Sequence, residues 1–207
     1  MTTECKPKQL ELHRLGSRKV VGRFDGGRIS SDGGGVLLRE LEQRTHILKR
    51  LADCFEDYRD PNLIEHSVQS LVKQRVLGLA LGYEDLNDHD VLRQDPLLAL
   101  LCEQADVSGE RRRCASDRGS ALAGKSTLNR LELTPEQASE ASRYKKIVAR
   151  PEAMDALLVE LFIEAHRRAP KRIVLDVDAT DDPLHGEQEG RFFHGYYRTY
   201  CYLPRAT

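Results

Sequence analysis

The sequence predicts an α+β fold, in which a mainly helical N-terminal region is followed by a short β-unit. Up to residue 170, apolar side chains recur at spacings of three and four, as they do in amphipathic helices. From residue 171, a β-branched and apolar run and then a cluster of aromatic residues replace this pattern. Both features are typical of strands, so the β-unit is predicted at the end of the chain.

These patterns divide the chain into three regions. Residues 1–60 contain a hairpin and a helix, residues 61–170 form a helical region, and residues 171–207 begin a β-domain. In the first region, the turn signal Asp25-Gly26-Gly27 predicts a hairpin over residues 18–30.

The helices are predicted from their apolar faces and end signals. The first extends from Val36 to about Phe55, and its apolar face consists of Leu37, Leu38, Leu41, Ile47, Leu48 and Leu51. The second covers residues 62–81 and ends at Gly82. A capping-box pattern at residues 134–137 predicts the start of another helix. Further helices are predicted over residues 96–102, 125–133 and 151–168, the last with a buried stripe of Met154, Leu157, Leu158, Leu161, Phe162 and Ala165.

The composition excludes several classes of protein. Hydrophobic residues make up 40% and charged residues 31% of the 207 residues, a balance typical of folded soluble proteins. No apolar run reaches the length of a membrane span. Five cysteines without a C-x-x-C pair argue against a disulfide framework or a zinc site and predict a reducing, cytoplasmic location. A net charge of −1 gives no overall attraction to nucleic acid, although local clusters can still bind it.

A basic cluster between residues 111 and 130 is the first candidate binding surface. Cations outnumber acids there, and such a cluster can neutralise DNA phosphates without reading the base sequence. An ordinary solvated surface is the alternative that the sequence leaves open. The candidate DNA-binding residues are Arg111, Arg112, Arg113, Arg118, Lys125 and Arg130.

The segment Gly119–Ser126 matches the phosphate-binding pattern G-x-x-x-x-G-K-[ST] letter by letter. That mechanism requires a buried strand directly before the loop, and residues 109–118 are too charged for one. The favoured interpretation is a basic loop that leads into a helix, with no nucleotide site. A small P-loop NTPase stays as an alternative.

An acidic segment follows the apolar run of residues 172–175. If the strand continues, Asp176 and Asp178 lie on the same face, because side chains alternate along a strand. Two such carboxylates suit Mg²⁺, which prefers hard oxygen ligands. His185 and His194 are weaker candidates for contacts with phosphate or the metal. A polar turn at Asp181-Asp182-Pro183, with Asp176 on the surface, is the alternative.

Three ordered motifs give the chain a resemblance to a known family. They are FDGGRISSDGG at residues 24–34, AGKSTLNRLE at residues 123–132, and LDVDATDDPLHGEQE at residues 175–189. Together with the helical pattern between them, they resemble DDE-type transposases of bacterial insertion sequences, in the group built like family thirteen-eighty. In that family the second motif is a helix-entry signature, which again favours a loop that leads into a helix.

The resemblance implies a helical DNA-binding region followed by an RNase H-like catalytic core. Three acids of the family hold two Mg²⁺ ions for DNA strand cleavage and transfer. Asp178 lies in the matching Asp-x-Thr context and is the expected first acid, with Asp176 as the runner-up. The implied partners are the terminal inverted repeats of the transposon and further copies of the chain.

No position after Asp178 matches the second Asp or the Glu of the family. We therefore expect a truncated form whose core is incomplete, which is inactive alone, and whose residues 171–207 are poorly packed. The alternative is a non-catalytic module that binds transposon ends, or an inhibitor that occupies them.

Overall fold

The computed structural model describes residues 10–23, 31–175, 182–184, 186 and 190–202. It forms two compact units, Met1–Phe162 and Ile163–Thr207. Helices and small antiparallel sheets occur together, so the predicted α+β class is confirmed. Among the residues that the structure describes, no helix is both long enough and apolar enough to cross a bilayer.

The first unit begins with a hairpin that differs from the predicted one. Strand β1 (Leu10–Leu15) pairs antiparallel with β2 (Arg18–Gly22), and Gly16 adopts a positive φ of 57° in the two-residue turn. The pairing of β2 with the alternating leucines of β1 was not predicted from the sequence. The later strand of the hairpin predicted over residues 18–30 lies outside the described residues, so that hairpin stays a prediction. The predicted turn at Asp25-Gly26-Gly27 lies outside the described residues.

The predicted helix from Val36 to Phe55 is two helices, α1 (Gly35–Thr45) and α2 (Ile47–Ala52). His46 breaks them with a left-handed φ of 55°. The buried Glu42 carboxylate accepts hydrogen bonds from the Leu48 and Lys49 amides at 2.7 and 3.1 Å. It thereby caps the free amides at the start of α2, a role that no spacing pattern shows.

The predicted apolar face is confirmed at Leu38 and Leu48, which pack in the core, but it was wrong at two positions of α1. Leu37 and Leu41 are 60% and 51% exposed, whereas Arg39 and Glu42 are buried. The buried pair belongs to an ionic cluster in which Lys73 bonds to Glu103 and lies 3.6 Å from Glu42. Distant partners of opposite charge therefore decide which face of α1 turns inward.

Helix α3 (Val68–Ala80) begins later than predicted. The Ser67 hydroxyl accepts a hydrogen bond from the Ser70 amide at 3.1 Å and caps the helix, while Pro61–Leu63 forms a separate 3₁₀ turn. Its predicted end is confirmed, because Gly82 has a φ of 96° and the Tyr83 amide donates to the Gly78 carbonyl at 2.9 Å.

Three shorter helices complete the body of this unit. They are α4 (His89–Leu92), α5 (Pro96–Leu101) and α6 (Lys125–Glu132), and the predictions for the last two are confirmed.

The helix predicted after residue 133 is absent, and residues 134–146 form turns and bends. The Thr134 hydroxyl donates to the Arg130 carbonyl at the end of α6 and so does not cap a new helix. Strand β3 (Phe55–Asp57) pairs antiparallel with β4 (Ile147–Ala149).

Helix α7 (Pro151–Glu164) ends before the predicted Arg168. Its predicted buried stripe was wrong in part. Leu157 is buried and Met154 and Leu161 are half-buried, whereas Leu158 and Phe162 are 65% and 43% exposed. Ala165 is exposed too. The less exposed side chains of α7 therefore do recur at spacings of three and four, but the stripe is narrower than predicted.

Two clusters of buried apolar side chains form the core of the first unit. The first contains Leu48, Leu77, Leu98, Leu101 and Leu122. The second contains Leu71, Val72, Leu128, Leu131 and Ile147.

The second unit contains a small antiparallel sheet in the order β5-β7-β6, with β5 at Asp182–Pro183, β6 at Phe192–His194 and β7 at Thr199–Tyr202. The strand predicted from residue 171 was wrong over residues 171–175, where Val174 and Leu175 are 76% and 83% exposed and no strand forms. Residues 176–181 lie outside the described part. The aromatic segment pairs with itself and with β5.

Candidate nucleic-acid interface

A groove rich in cations lies beside the start of α6. Its volume is about 520 Å³, and we call it the cationic groove. Lysine, arginine, tyrosine and asparagine side chains line it, and none of the lining residues is acidic. The polar and charged side chains that matter here are Asn87, Lys125, Asn129, Arg130, Tyr144 and Lys145.

The amphipathic pattern of α6 explains why its cations face outward. Leu128 and Leu131 are 0% and 5% exposed and belong to the second core cluster. With 3.6 residues per turn, this leaves Lys125 and Arg130 on the exposed side of the helix. Packing of the two leucines therefore fixes the direction in which the groove cations point.

A buried polar network fixes the loop that leads into α6. Gln74 is fully buried, and its side-chain amide donates to the Ala123 carbonyl at 2.7 Å and accepts from the Ala123 amide at 3.0 Å. The same side chain lies 3.1 Å from Nδ1 of the buried His89. Burial lowers the pKa of His89, so the ring is neutral and serves as a packing element.

The N-terminus of α6 is occupied by a carboxylate from the same chain. Oδ1 of Asp90 accepts a hydrogen bond from the Lys125 amide at 3.1 Å, and the Lys125 ammonium lies 3.3 Å from Asp90 Oδ2. At Gly124, a Cβ atom would meet Asp90 Oδ1 at 3.1 Å, so glycine permits this close approach. The segment Gly119–Ser126 is thus a loop leading into a helix, as the favoured interpretation predicts.

Tyr144 forms the aromatic part of the groove. Its ring is 57% exposed, and the guanidinium carbons of Arg143 and Arg130 lie 4.8 and 5.8 Å from the ring centre. Cations at these distances are attracted to the face of the ring. The combination of cations and an exposed ring is what a nucleic-acid surface needs, since cations neutralise phosphates and rings stack on bases.

The six predicted DNA-binding residues occupy different environments. Lys125 and Arg130 line the cationic groove. Arg111, Arg113 and Arg118 are exposed on the loop before α6, and Arg113 donates to the Asn62 carbonyl at 2.6 Å.

Arg112, the sixth predicted residue, is held in a network of hydrogen bonds. Its side chain is 14% exposed and donates to Glu65 Oε2 at 2.8 Å, to Ser120 O at 3.1 Å and to His66 Nε2 at 2.7 Å. Burial, together with the Arg112 charge, lowers the pKa of His66 from 6.5 to about 4, so the ring is neutral. Arg112 therefore ties the loop to the segment before α3.

The expected metal ligands cannot be placed in this geometry. Asp176, Asp178 and His185 lie outside the described residues, and His194 lies in β6 with its ring centre 4.7 Å from that of Tyr197. Within the described ranges, no group of three or more His, Cys, Asp or Glu side chains could hold a metal ion. Cys54, Cys102 and Cys114 are free thiols.

Sequence reasoning missed part of the groove. The run Arg143-Tyr144-Lys145-Lys146 carries three cations around an aromatic residue, and this pattern was a usable signal. Asn87 was not recognisable from sequence, because its place in the groove depends on the packing of the 3₁₀ turn Leu86–Asp88 beside α6.

The comparison with known families identifies the class of protein. The family model for the group 1 DDE domain of transposases matches residues 12–206. The chain belongs to this transposase family. Neither a curated protein nor a solved structure gives a significant match. The finer resemblance to family thirteen-eighty stays a prediction.

Proposed function

We propose that this chain belongs to an insertion-sequence transposase and binds the terminal inverted repeats of its transposon through residues 61–170. The observation that carries the proposal is the cationic groove, where Lys125, Arg130 and Lys145 surround an exposed tyrosine and no lining residue is acidic. Transposase family membership implies DNA as the partner, and the groove offers the charge that such a partner requires.

The groove suits contacts with the DNA backbone more than reading of the base sequence. Its cations are long, flexible side chains, and Lys125 keeps an acidic neighbour in Asp90. Phosphate contacts of this kind fix the position of a protein on DNA without specifying sequence. Arg111, Arg113 and Arg118 extend the proposed contact surface along the loop, and Arg112 holds that loop in place.

A binding experiment at several salt concentrations tests the groove. The triple variant Lys125→Ala/Arg130→Ala/Lys145→Ala is expected to bind a transposon-end duplex more weakly. The slope of log K, the binding constant, against the logarithm of the salt concentration should become less steep by about 2 to 3. Each phosphate contact contributes roughly 0.9 to the steepness of this slope. Fluorescence anisotropy measures both, and Lys49→Ala, which removes an exposed cation of α2, is the control. Equal slopes in the triple variant and the control would reject the groove.

For catalysis, we propose that Asp178, with Asp176 beside it in sequence, supplies the first carboxylates of a Mg²⁺ site. Their Asp-x-Asp spacing and the Asp-x-Thr context at Asp178 support this assignment. Bound Mg²⁺ would activate water and the 3′-hydroxyl for attack on a phosphodiester. The role of this chain's own residues is to hold the ion with hard oxygen ligands.

Metal binding can be measured without a catalytic assay. Mn²⁺ replaces Mg²⁺, and electron paramagnetic resonance reports the bound fraction. Asp178→Asn should weaken Mn²⁺ binding by more than the roughly 10-fold cost of losing an outer-shell partner, whereas Asp155→Asn, on the exposed side of α7, should not change it. Identical Mn²⁺ titrations for the two variants would contradict the assignment.

We also propose that these 207 residues do not transfer strands by themselves, since one of the three expected acids is matched in them. A metal-dependent strand-transfer assay with transposon ends tests this, and activity that disappears in Asp178→Asn would overturn it. The non-catalytic module considered as an alternative is not favoured by the family membership. The division at residues 60 and 170, the RNase H-like core and assembly into oligomers stay predictions.

A further inference from the structure

The N-terminal hairpin β1–β2 carries a cluster of cations at its turn. Arg14, Arg18 and Lys19 are exposed, and no acidic residue lies between positions 14 and 19. Lys19 bonds to Glu11 at 2.7 Å. Among the residues that the structure describes, the guanidinium groups of Arg14 and Arg18 form neither a hydrogen bond nor a salt bridge. Among the described residues, the charges of Arg14 and Arg18 are therefore exposed at the turn without an ion pair, whereas Lys19 is paired with Glu11.

A buried arginine holds this turn in a fixed position. Arg39 of α1 is 1% exposed and donates to the His13 carbonyl at 2.8 Å and to the Arg14 carbonyl at 3.3 Å. Glu40, the next residue, accepts from the His13 amide at 3.2 Å and lies 2.6 Å from the His13 ring. These contacts reach the residues directly before the turn, so the cations are presented on a supported element.

The ionic cluster beneath α1 extends this support into the core. Arg39 lies 3.7 Å from Glu103, which also bonds to Lys73. Burying such charges is costly unless they are paired. In α1 the buried Arg39 uses part of its hydrogen-bonding capacity to fix the direction of the hairpin.

We infer that the hairpin turn is a second DNA-binding element, a two-stranded ribbon that enters the major groove of double-stranded DNA. This inference rests on the proposed function and adds a contact separate from the cationic groove. A two-stranded ribbon fits a major groove about 12 Å wide, and Arg14 and Arg18 flank the turn where they reach the phosphates on either side. The deep, narrow major groove of an RNA duplex does not admit such a ribbon.

The test compares a DNA duplex with an RNA duplex of the same sequence. The variant Arg14→Ala/Arg18→Ala should bind the DNA duplex about 10- to 60-fold more weakly at 0.1 M salt, with a salt slope reduced by about 2. On the RNA duplex, the variant and the parent chain should bind equally. Lys49→Ala, which changes an exposed cation of α2 away from the hairpin, is the control. A thermal melt of each variant shows whether the fold is retained.

The outcomes separate this inference from the proposed function. If the parent chain binds DNA and the double variant has the same affinity and slope as Lys49→Ala, the hairpin inference is wrong while the groove proposal stands. An equal loss on the RNA duplex would also overturn the ribbon, because it would indicate a general charge effect. A parent chain that binds no DNA would remove both proposals.

Discussion

Neighbouring arginines of the loop before α6 have opposite environments. Arg112 is 14% exposed and bonds to Glu65, His66 and Ser120, whereas Arg111 is exposed. Both residues are arginines at adjacent positions, so the sequence predicts DNA contact for both. The difference arises from the fold, which brings the segment before α3 against one of them.

This difference predicts unequal effects on stability. Arg112→Ala should lower the free energy of unfolding by about 2–4 kcal/mol, because it leaves Glu65, His66 and the Ser120 carbonyl without their partner. Arg111→Ala should change it by no more than about 0.5 kcal/mol. Urea unfolding of both variants measures this. Equal free energies of unfolding would show that Arg112 does not hold the loop.

His66 should make the stability depend on pH. Its pKa is lowered to about 4 in the folded chain from 6.5, so between these values the unfolded chain binds a proton that the folded chain does not. Stability is therefore complete above pH 6.5 and falls towards pH 4, by at most about 3 kcal/mol for this residue. His89 adds to the same trend, since burial lowers its pKa too.

The variant His66→Gln isolates the contribution of His66, because glutamine can accept the Arg112 hydrogen bond without titrating. Urea unfolding at pH values from 4 to 7 gives the free energy of unfolding, which should depend less steeply on pH in the variant than in the parent chain. If the two plots of free energy against pH are parallel over this range, His66 is not a neutral, buried group.

At the scale of elements, α6 links the core to the cationic groove. Leu128 is fully buried, whereas Leu133, just after the helix, is 55% exposed. Leu128→Ala should cost about 2–5 kcal/mol through the cavity it leaves, and Leu133→Ala much less. Thermal and urea unfolding give both values. A small effect at Leu128 would mean that α6 is not held by the second core cluster.

The elements also show what sequence alone can predict. The apolar run at residues 96–102 located α5, a helix was also predicted at the position of α6, and Gly82 marked the end of α3. The break at His46 was missed because its cause is Glu42, which caps α2 across the break. The face of α1 was missed for a similar reason, since Arg39 is turned inward by charged partners far away in sequence.

For the candidate site, sequence could supply residue types but not their arrangement. Lys125 and Arg130 were recognisable as cations on a helix, yet their position next to Tyr144 depends on how residues 134–146 return past α6. If the predicted helix had formed after Thr134, these residues would not follow the path that places Tyr144 beside α6. The Thr134 hydroxyl is instead committed to the Arg130 carbonyl, and this leaves the following segment free to form turns.

At the scale of the whole molecule, a net charge of −1 coexists with surfaces suited to DNA. Among the described residues, several acids pair with cations outside the groove, as Asp117 does with Arg93 at 2.7 Å and Glu65 with Arg112 at 2.8 Å. Positive charge is left at the cationic groove. Binding should therefore depend strongly on salt although the chain as a whole is nearly neutral.

Lysine acetylation with and without DNA tests the central claim most directly, because it reports each side chain of the groove separately. In the presence of a saturating transposon-end duplex, Lys125 and Lys145 should be protected from acetylation, and Lys49 on α2 should react as it does without DNA. Mass spectrometry of the digested chain gives the three rates. Unchanged rates at Lys125 and Lys145, under conditions where anisotropy shows that the duplex is bound, would contradict DNA binding at the cationic groove.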